Sequence, residues 1–183
     1  MTTVFIAGSI TIKKLDSRVR ERIDKVVEAG HDIVVGDADG ADSGIQDHLF
    51  NTCALRVTVY CTGTEPRNNI GNWPTHLVNT NHAPGTRAFF TAKDLEMAKV
   101  ADFGLMVWDT KSTGTLSNVL ELLQQNKKSV VYVNKDKLFK NVGTVEELEA
   151  LVTCMSDHAT AKADEKIRLF ERIQALKQTS MFA

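Results

Sequence analysis

The sequence predicts an α/β fold, a parallel sheet of about five strands with helices on both faces, followed by a C-terminal helical extension. Three observations carry this expectation. Short β-rich runs alternate with segments of helical periodicity; the runs are continuously apolar rather than alternating; and glycine or small polar residues stand where run passes into helix. Parallel strands need crossover connections, and the helical segments supply them. On this reading residues 1–134 form the sheet domain and residues 135–183 the extension.

The first strand is Thr3 to Gly8, an apolar run closed by glycine. Leu15, Val19, Ile23, Val26 and Val27 then recur at helical spacing, with Gly30 as the stop. Asp32 to Val35 reads as a strand, Gly40 to Phe50 as a helix and Arg56 to Tyr60 as a third strand. Periodicity is absent from Cys61 until about Thr86, where Ala88, Phe89, Ala92, Leu95, Met97, Ala98 and Ala101 open a new helical pattern. Asp102 to Trp108 is a strand, Thr115 to Asn126 a helix and Ser129 to Val133 the last strong strand. In the tail, Val145 to Thr153 is a short helix capped by Thr144. His158 to Gln178 reads as one long charged helix with Ile167, Phe170, Ile173 and Leu176 on one stripe. That stripe is expected to pack on the domain or to form a homo-oligomer contact, rather than to carry a site.

The chain of 183 residues is 43% hydrophobic and 25% charged, with a net charge of -1, which excludes a disordered chain. The same balance argues against a strongly basic nucleic-acid binder, so nucleic acid is expected to be an unlikely partner. No run reaches the roughly 20 apolar residues of a membrane helix, and a cytoplasmic location without membrane partners is expected. The three cysteines, Cys53, Cys61 and Cys154, lack ligand spacing, and neither a metal nor a cofactor is expected.

Ligands of parallel sheets sit at the carboxyl ends of the strands, and four loops there share a chemical character. Gly8 and Ser9 follow the first strand. Gly36, Asp37, Asp39, Gly40 and Asp42 follow the second, where an amide-lined turn at a helix start suits phosphate, with Asp42 and Gln46 on one helix face suited to ribose or base. Three aspartates repel a phosphate unless a cation or ribose hydroxyls meet them, and an N-cap turn explains them equally well. The 61–86 segment holds Trp73 and all three prolines, Pro66, Pro74 and Pro84, and is read as a lid flanked by the cations Arg67 and Arg87. Asp109, Ser112, Gly114, Thr115 and Asn118 follow the fourth run, Asp102 to Trp108, in a loop that lacks the Walker A spacing.

Gly36-Asp37-Ala38-Asp39-Gly40-Ala41-Asp42 with Gln46, Lys93-Asp94-x-x-Met97-x-x-x-Ala101-Asp102, and Ser112-Thr113-Gly114-Thr115 together resemble the SLOG superfamily. That group includes the Lonely-Guy-type phosphoribohydrolases, the DprA proteins and the YspA/YpsA-like proteins. The resemblance covers roughly residues 3 to 134 and implies a Rossmann-like sheet that binds nucleotides or nucleotide-derived ligands. In the Lonely-Guy pattern a glutamate after Gly-Thr assists cleavage of the N-glycosidic bond; here Asn118 stands after Gly114-Thr115-Leu116-Ser117, and asparagine has no carboxylate to transfer a proton.

Two readings stand open. In the preferred one the protein binds a nucleoside phosphate or ADP-ribose-like ligand. Gly8, Ser9, Gly36, Gly114 and Thr115 hold phosphate, Asp42, Gln46 and Asn118 recognise ribose or base, and Arg67 or Arg87 neutralises charge. In the other it hydrolyses or transfers an N-glycosidic bond, as a phosphoribohydrolase or deoxyribosyltransferase does, with Asp42 or Asp109 as catalytic carboxylate. A turn-rich α/β domain with a protein partner is the bland alternative to both.

Overall fold

The computed structural model describes residues 1–181. Its elements are β1 (Thr3–Gly8), α1 (Ser17–Glu28), β2 (Asp32–Gly36), α2 (Ala41–Asn51), β3 (Val57–Thr62), β4 (Thr75–Val78) and α3 (Arg87–Val100). They continue with β5 (Phe103–Trp108), α4 (Thr113–Gln124), β6 (Lys128–Val133), β7 (Leu138–Val142), α5 (Val145–Val152), α6 (Asp157–Ile167) and α7 (Leu169–Met181). The strands form one seven-stranded sheet of order β4-β3-β2-β1-β5-β6-β7. Among the described residues β7 pairs antiparallel with β6 and every other pairing is parallel.

Alternate residues of each strand feed two cores, because successive side chains point to opposite faces. Val4 and Ile6 of β1, Val35 of β2 and Val107 of β5 pack with Val19 and Ile23 of α1 and Ile45 and Leu49 of α2. Phe5, Val34, Met106, Trp108 and Val131 turn the other way, against Met97 and Ala98 of α3 and Leu116 and Leu120 of α4. The chain steps outward from β1 to β4 and then returns to β5 on the other side of β1. The switch point of this Rossmann-like sheet therefore lies between β1 and β5, where Ser9 N–H donates to Val107 O across the junction.

The tail packs on the sheet. Leu148, Leu151, Met155, Ala159, Ala163, Leu169 and Ile173 belong to the same core as α3 and α4. Thr144 caps α5 as expected, in a capping box with Glu147. The single long tail helix expected from the sequence is two helices, since Arg168 adopts a left-handed conformation with φ 55°. Asp164 secures the break: its carbonyl accepts from Arg168 N–H and its side chain from Phe170 N–H. Of the expected stripe, Ile173 is buried and Ile167 and Leu176 pack at the core margin, but Phe170 is exposed.

Two edge strands exceed the expected five. Leu138–Val142 adds β7, and Thr75–Val78 adds β4 inside the segment expected to be a lid. That segment is anchored rather than free. Trp73 Nε1 donates to Ala54 O, and Asn69 brackets the tryptophan by accepting from its N–H and donating to its carbonyl. No helix among the described residues is long and apolar enough to cross a membrane.

Candidate functional site

A cavity of about 590 Å3 opens at the carboxyl edge of the sheet, beside the β1/β5 switch point. Ile10 and Thr11 after β1 form one wall, Asp109 and Lys111 to Gly114 after β5 a second, and Ser156, His158, Ala159, Lys162 and Lys166 of the tail a third. Of the residues expected from sequence, Asp109, Ser112 and Gly114 reach this cavity. The α6 lysines and Lys111 were missed, because an exposed lysine in an amphipathic helix carries no signal of its own until a second element faces it.

The β5–α4 loop is rigidly built. Ser112 caps α4 by accepting from Thr115 N–H, and Trp108 Nε1 donates to Ser112 O at 3.0 Å. Asp109 Oδ1 accepts from the backbone N–H groups of Lys111 and Ser112, and Oδ2 accepts from Thr11 Oγ1 at 2.6 Å. Burial opposes its ionisation, but hydrogen bonds from Thr11, Ser112, Lys111 and Ser9 outweigh it and hold the Asp109 carboxyl below its usual range. Asp109 is thus held as a carboxylate that shapes the loop, with both oxygens already hydrogen-bonded. Thr110, β-branched and buried, is held at φ 66° in the left-handed region, a strained conformation within the cavity-forming loop.

Ser9 and Thr115 lie behind this wall. Ser9 is fully buried, with its Oγ accepting from Asp109 N–H and 3.3 Å from Thr115 Oγ1. Asn118 is buried farther along α4 and is not part of the lining. Gly114 differs from the other expected glycines. A Cβ there would find open space, with Ser112 Oγ the nearest atom at 4.0 Å, whereas one at Gly8 would meet Ala41 and Val107 at 2.6 Å. At Gly36 it would overlap Asp42 and Lys93, and at Gly40 the Ile10 backbone. Gly8, Gly36 and Gly40 therefore serve close approach between parts of the protein, and Gly114 faces outward.

The glycine-aspartate loop forms a separate ionic cluster between β2, α2 and α3. Asp37 is 2% exposed and accepts from Arg67 at both carboxylate oxygens, Nη2 donating at 2.7 Å and Nε at 3.1 Å. Lys93, 4% exposed, lies 2.8 Å from Asp94 and 4.0 Å from both Asp37 and Asp42. Its burial works against the charge, but Asp94, Asp42 and Asp37 more than offset that and raise its pKa. Burial pushes Asp42 up to about 6 despite Lys93, and its Oδ1 has no hydrogen-bond partner. Lys93 is the residue that sequence reasoning passed over as a site member. Its signal was available: it sits four positions before Met97, on the inward stripe of α3, where a charge demands partners.

Gln46 is buried and fully employed. Its Nε2 donates to Gly36 O and Asn68 O, and its Oε1 accepts from Ile70 N–H, so the side chain clamps the post-β3 segment rather than reaching a ligand. Arg67 likewise closes that segment onto Asp37, and Arg87 begins α3 at an exposed position outside the cavity lining. Removing the clamp should be local in effect. Arg67→Ala is expected to raise amide hydrogen exchange across residues 63–74 at least tenfold while β1 and β5 keep their protection. Equal protection in both proteins would show that Gln46 and Trp73 hold the segment without Arg67.

Fold and cavity define a Rossmann-like α/β protein with a ligand-sized opening at the sheet's switch point. No family model matches the chain, and no curated protein matches it. Among solved structures it is similar to DNA processing protein A from Helicobacter pylori, which is described by its single-stranded DNA binding mode. The two share 18% identity and superpose with a TM-score of 0.54, over 71% of this chain and 64% of the other. The fold is thus DprA-like, and this chain matches less than two thirds of that protein. The expectation that nucleic acid is an unlikely partner does not hold. Nucleic acid was set aside on net charge, but a structure of the same fold belongs to a single-stranded DNA-binding protein. Net charge averages over the whole surface, and cations gathered at one edge, such as Lys111, Lys162 and Lys166, do not register in it.

Proposed function

We propose that the protein binds a nucleotide-derived ligand in the cavity between α4 and α6, with a phosphate group at the α4 N-terminus. The observation that carries this reading is Gly114: it lines the cavity, its missing side chain faces open space, and it occupies the first turn of α4. The first backbone N–H groups of a helix lack intrahelical acceptors, and the helix dipole there favours an anion. Lys111 lies on the same rim. The loop order shared with the SLOG superfamily supports the nucleotide character of the ligand, and the DprA-like fold supports a phosphate that belongs either to a free nucleotide or to an oligonucleotide. N-glycosidic cleavage has less support, since Asp42 is enclosed away from the cavity and the Asp109 oxygens are already hydrogen-bonded.

Titration of the full chain with nucleoside monophosphates and with a short single-stranded oligonucleotide separates the two phosphate sources. In either case Gly114→Glu, whose Cβ is accommodated without overlap, is expected to weaken binding at least a hundredfold with an unchanged circular dichroism spectrum. Wild-type affinity in Gly114→Glu, or no binding of any of these probes up to millimolar concentration, contradicts the proposal.

A further inference from the structure

The tail brings cations of its own to the cavity, on a different wall from the α4 N-terminus. His158, Lys162 and Lys166 are spaced four residues apart on α6 and all line the opening, a row about 12 Å long at 1.5 Å rise per residue. Among the described residues neither of these lysines, nor Lys111, lies within 4.0 Å of a carboxylate. Most other lysines of the protein also lack a carboxylate partner, and what distinguishes these three is that they line one cavity from two of its walls. A phosphate at the α4 N-terminus meets the helix dipole and Lys111, with the Asp109 carboxylate on the same wall. Lys162 and Lys166 stand apart from that group, on the α6 wall.

We infer that α6 forms a second anion subsite in this cavity, with Lys162 and Lys166 as its cations, and that the ligand is accordingly a diphosphate-bearing nucleotide. The inference rests on the cavity being a nucleotide site. One phosphate sits at Thr113 and Gly114, and the second bridges toward the α6 row. A cavity of about 590 Å3 is of small-molecule size, which favours a nucleoside diphosphate over an extended strand. The row comes from a helix outside the stretch that resembles the SLOG superfamily.

Calorimetry on the full chain tests this with two pairs of probes, inorganic phosphate against pyrophosphate and AMP against ADP. The wild type is expected to bind the diphosphate member of each pair at least tenfold more tightly. The doubly substituted Lys162→Gln/Lys166→Gln protein is expected to lose at least tenfold more affinity for pyrophosphate and ADP than for phosphate and AMP, so that the preference disappears; both substitutions are at exposed positions, and thermal melts verify the fold. Equal wild-type affinity for AMP and ADP, or equal weakening of both in the double variant, overturns the second subsite and leaves the first standing. Absence of binding by all four probes overturns the nucleotide site itself and this inference with it. Tighter binding of a 5′-phosphorylated oligonucleotide than of ADP assigns the lysine row to a nucleic-acid strand and also overturns it.

Discussion

Gly40→Ala is expected to destabilise the protein by about 4 kcal/mol, lowering the melting temperature by roughly 10 °C. Gly40 has φ 77° and ψ -124°, a region open to glycine alone, and an added Cβ would overlap the backbone of Ile10. The obstacle is main chain rather than a flexible side chain, so the β1–α1 and β2–α2 connections would have to move apart together. Ser9 O accepts from Ala41 N–H at this contact, and that bond would be strained with them. Gly30 provides the control. It also has positive φ, 69°, but nothing lies within 4 Å of an added Cβ, and Gly30→Ala should cost only about 1 kcal/mol of conformational strain. Chemical denaturation of both variants measures the difference. Equal effects would mean that backbone conformation alone, without the close approach to Ile10, governs Gly40.

Lys93→Met is expected to destabilise by roughly 3–5 kcal/mol at pH 7, because it leaves the buried Asp37 and Asp42 without their shared cation. The loss should shrink in acid, and the sign follows from Asp42. Its pKa rises on folding from 3.8 to about 6, so between those values the folded state binds more protons than the unfolded one. Stability from this group is therefore greatest below about pH 4 and falls as pH rises through 6, by roughly 3 kcal/mol in all. Without Lys93 the Asp42 carboxyl rises further, and the decline extends to higher pH. Asp37 and Asp109 act in the opposite sense and in a separate window. Both are held below the usual carboxylate range, so their contributions persist above it and are lost as pH falls through their folded values. Urea unfolding from pH 4 to 8 checks this, with Asp42→Asn expected to flatten the wild-type slope between pH 4 and 6. A wild-type slope unaltered in Asp42→Asn would assign the titration to another group.

The central strands were legible because burial on both faces makes a sequence continuously apolar. β1 has the expected bounds, and β2, β5 and β6 differ from expectation by a residue. The edges were not legible for the converse reason. β4 exposes Thr75, His76 and Leu77, and in β7 only Val142 is buried, so neither needs an apolar run. The break at Arg168 lacks glycine or proline and depends on Asp164, a contact that periodicity does not encode.

At the carboxyl edge, residue type indicated the region, but the job of each residue depended on what faced it. Gln46 and Arg67 had suitable chemistry and are used internally. Lys162 and Lys166 looked like the solvated face of a tail helix and line the opening beside the switch point. Such pairings arise only once α6 folds back over the strand ends, which is a tertiary event without a local signature.

Amide chemical-shift mapping of the full chain during titration with ADP tests the placement of the ligand most directly. The largest changes are expected at Thr113 and Gly114, accompanied by the His158 to Lys166 stretch of α6, with the Asp37–Arg67–Lys93 cluster little affected. Changes centred on that cluster with Thr113 and Gly114 unmoved, or no change anywhere at millimolar ADP, would contradict a nucleotide site between α4 and α6.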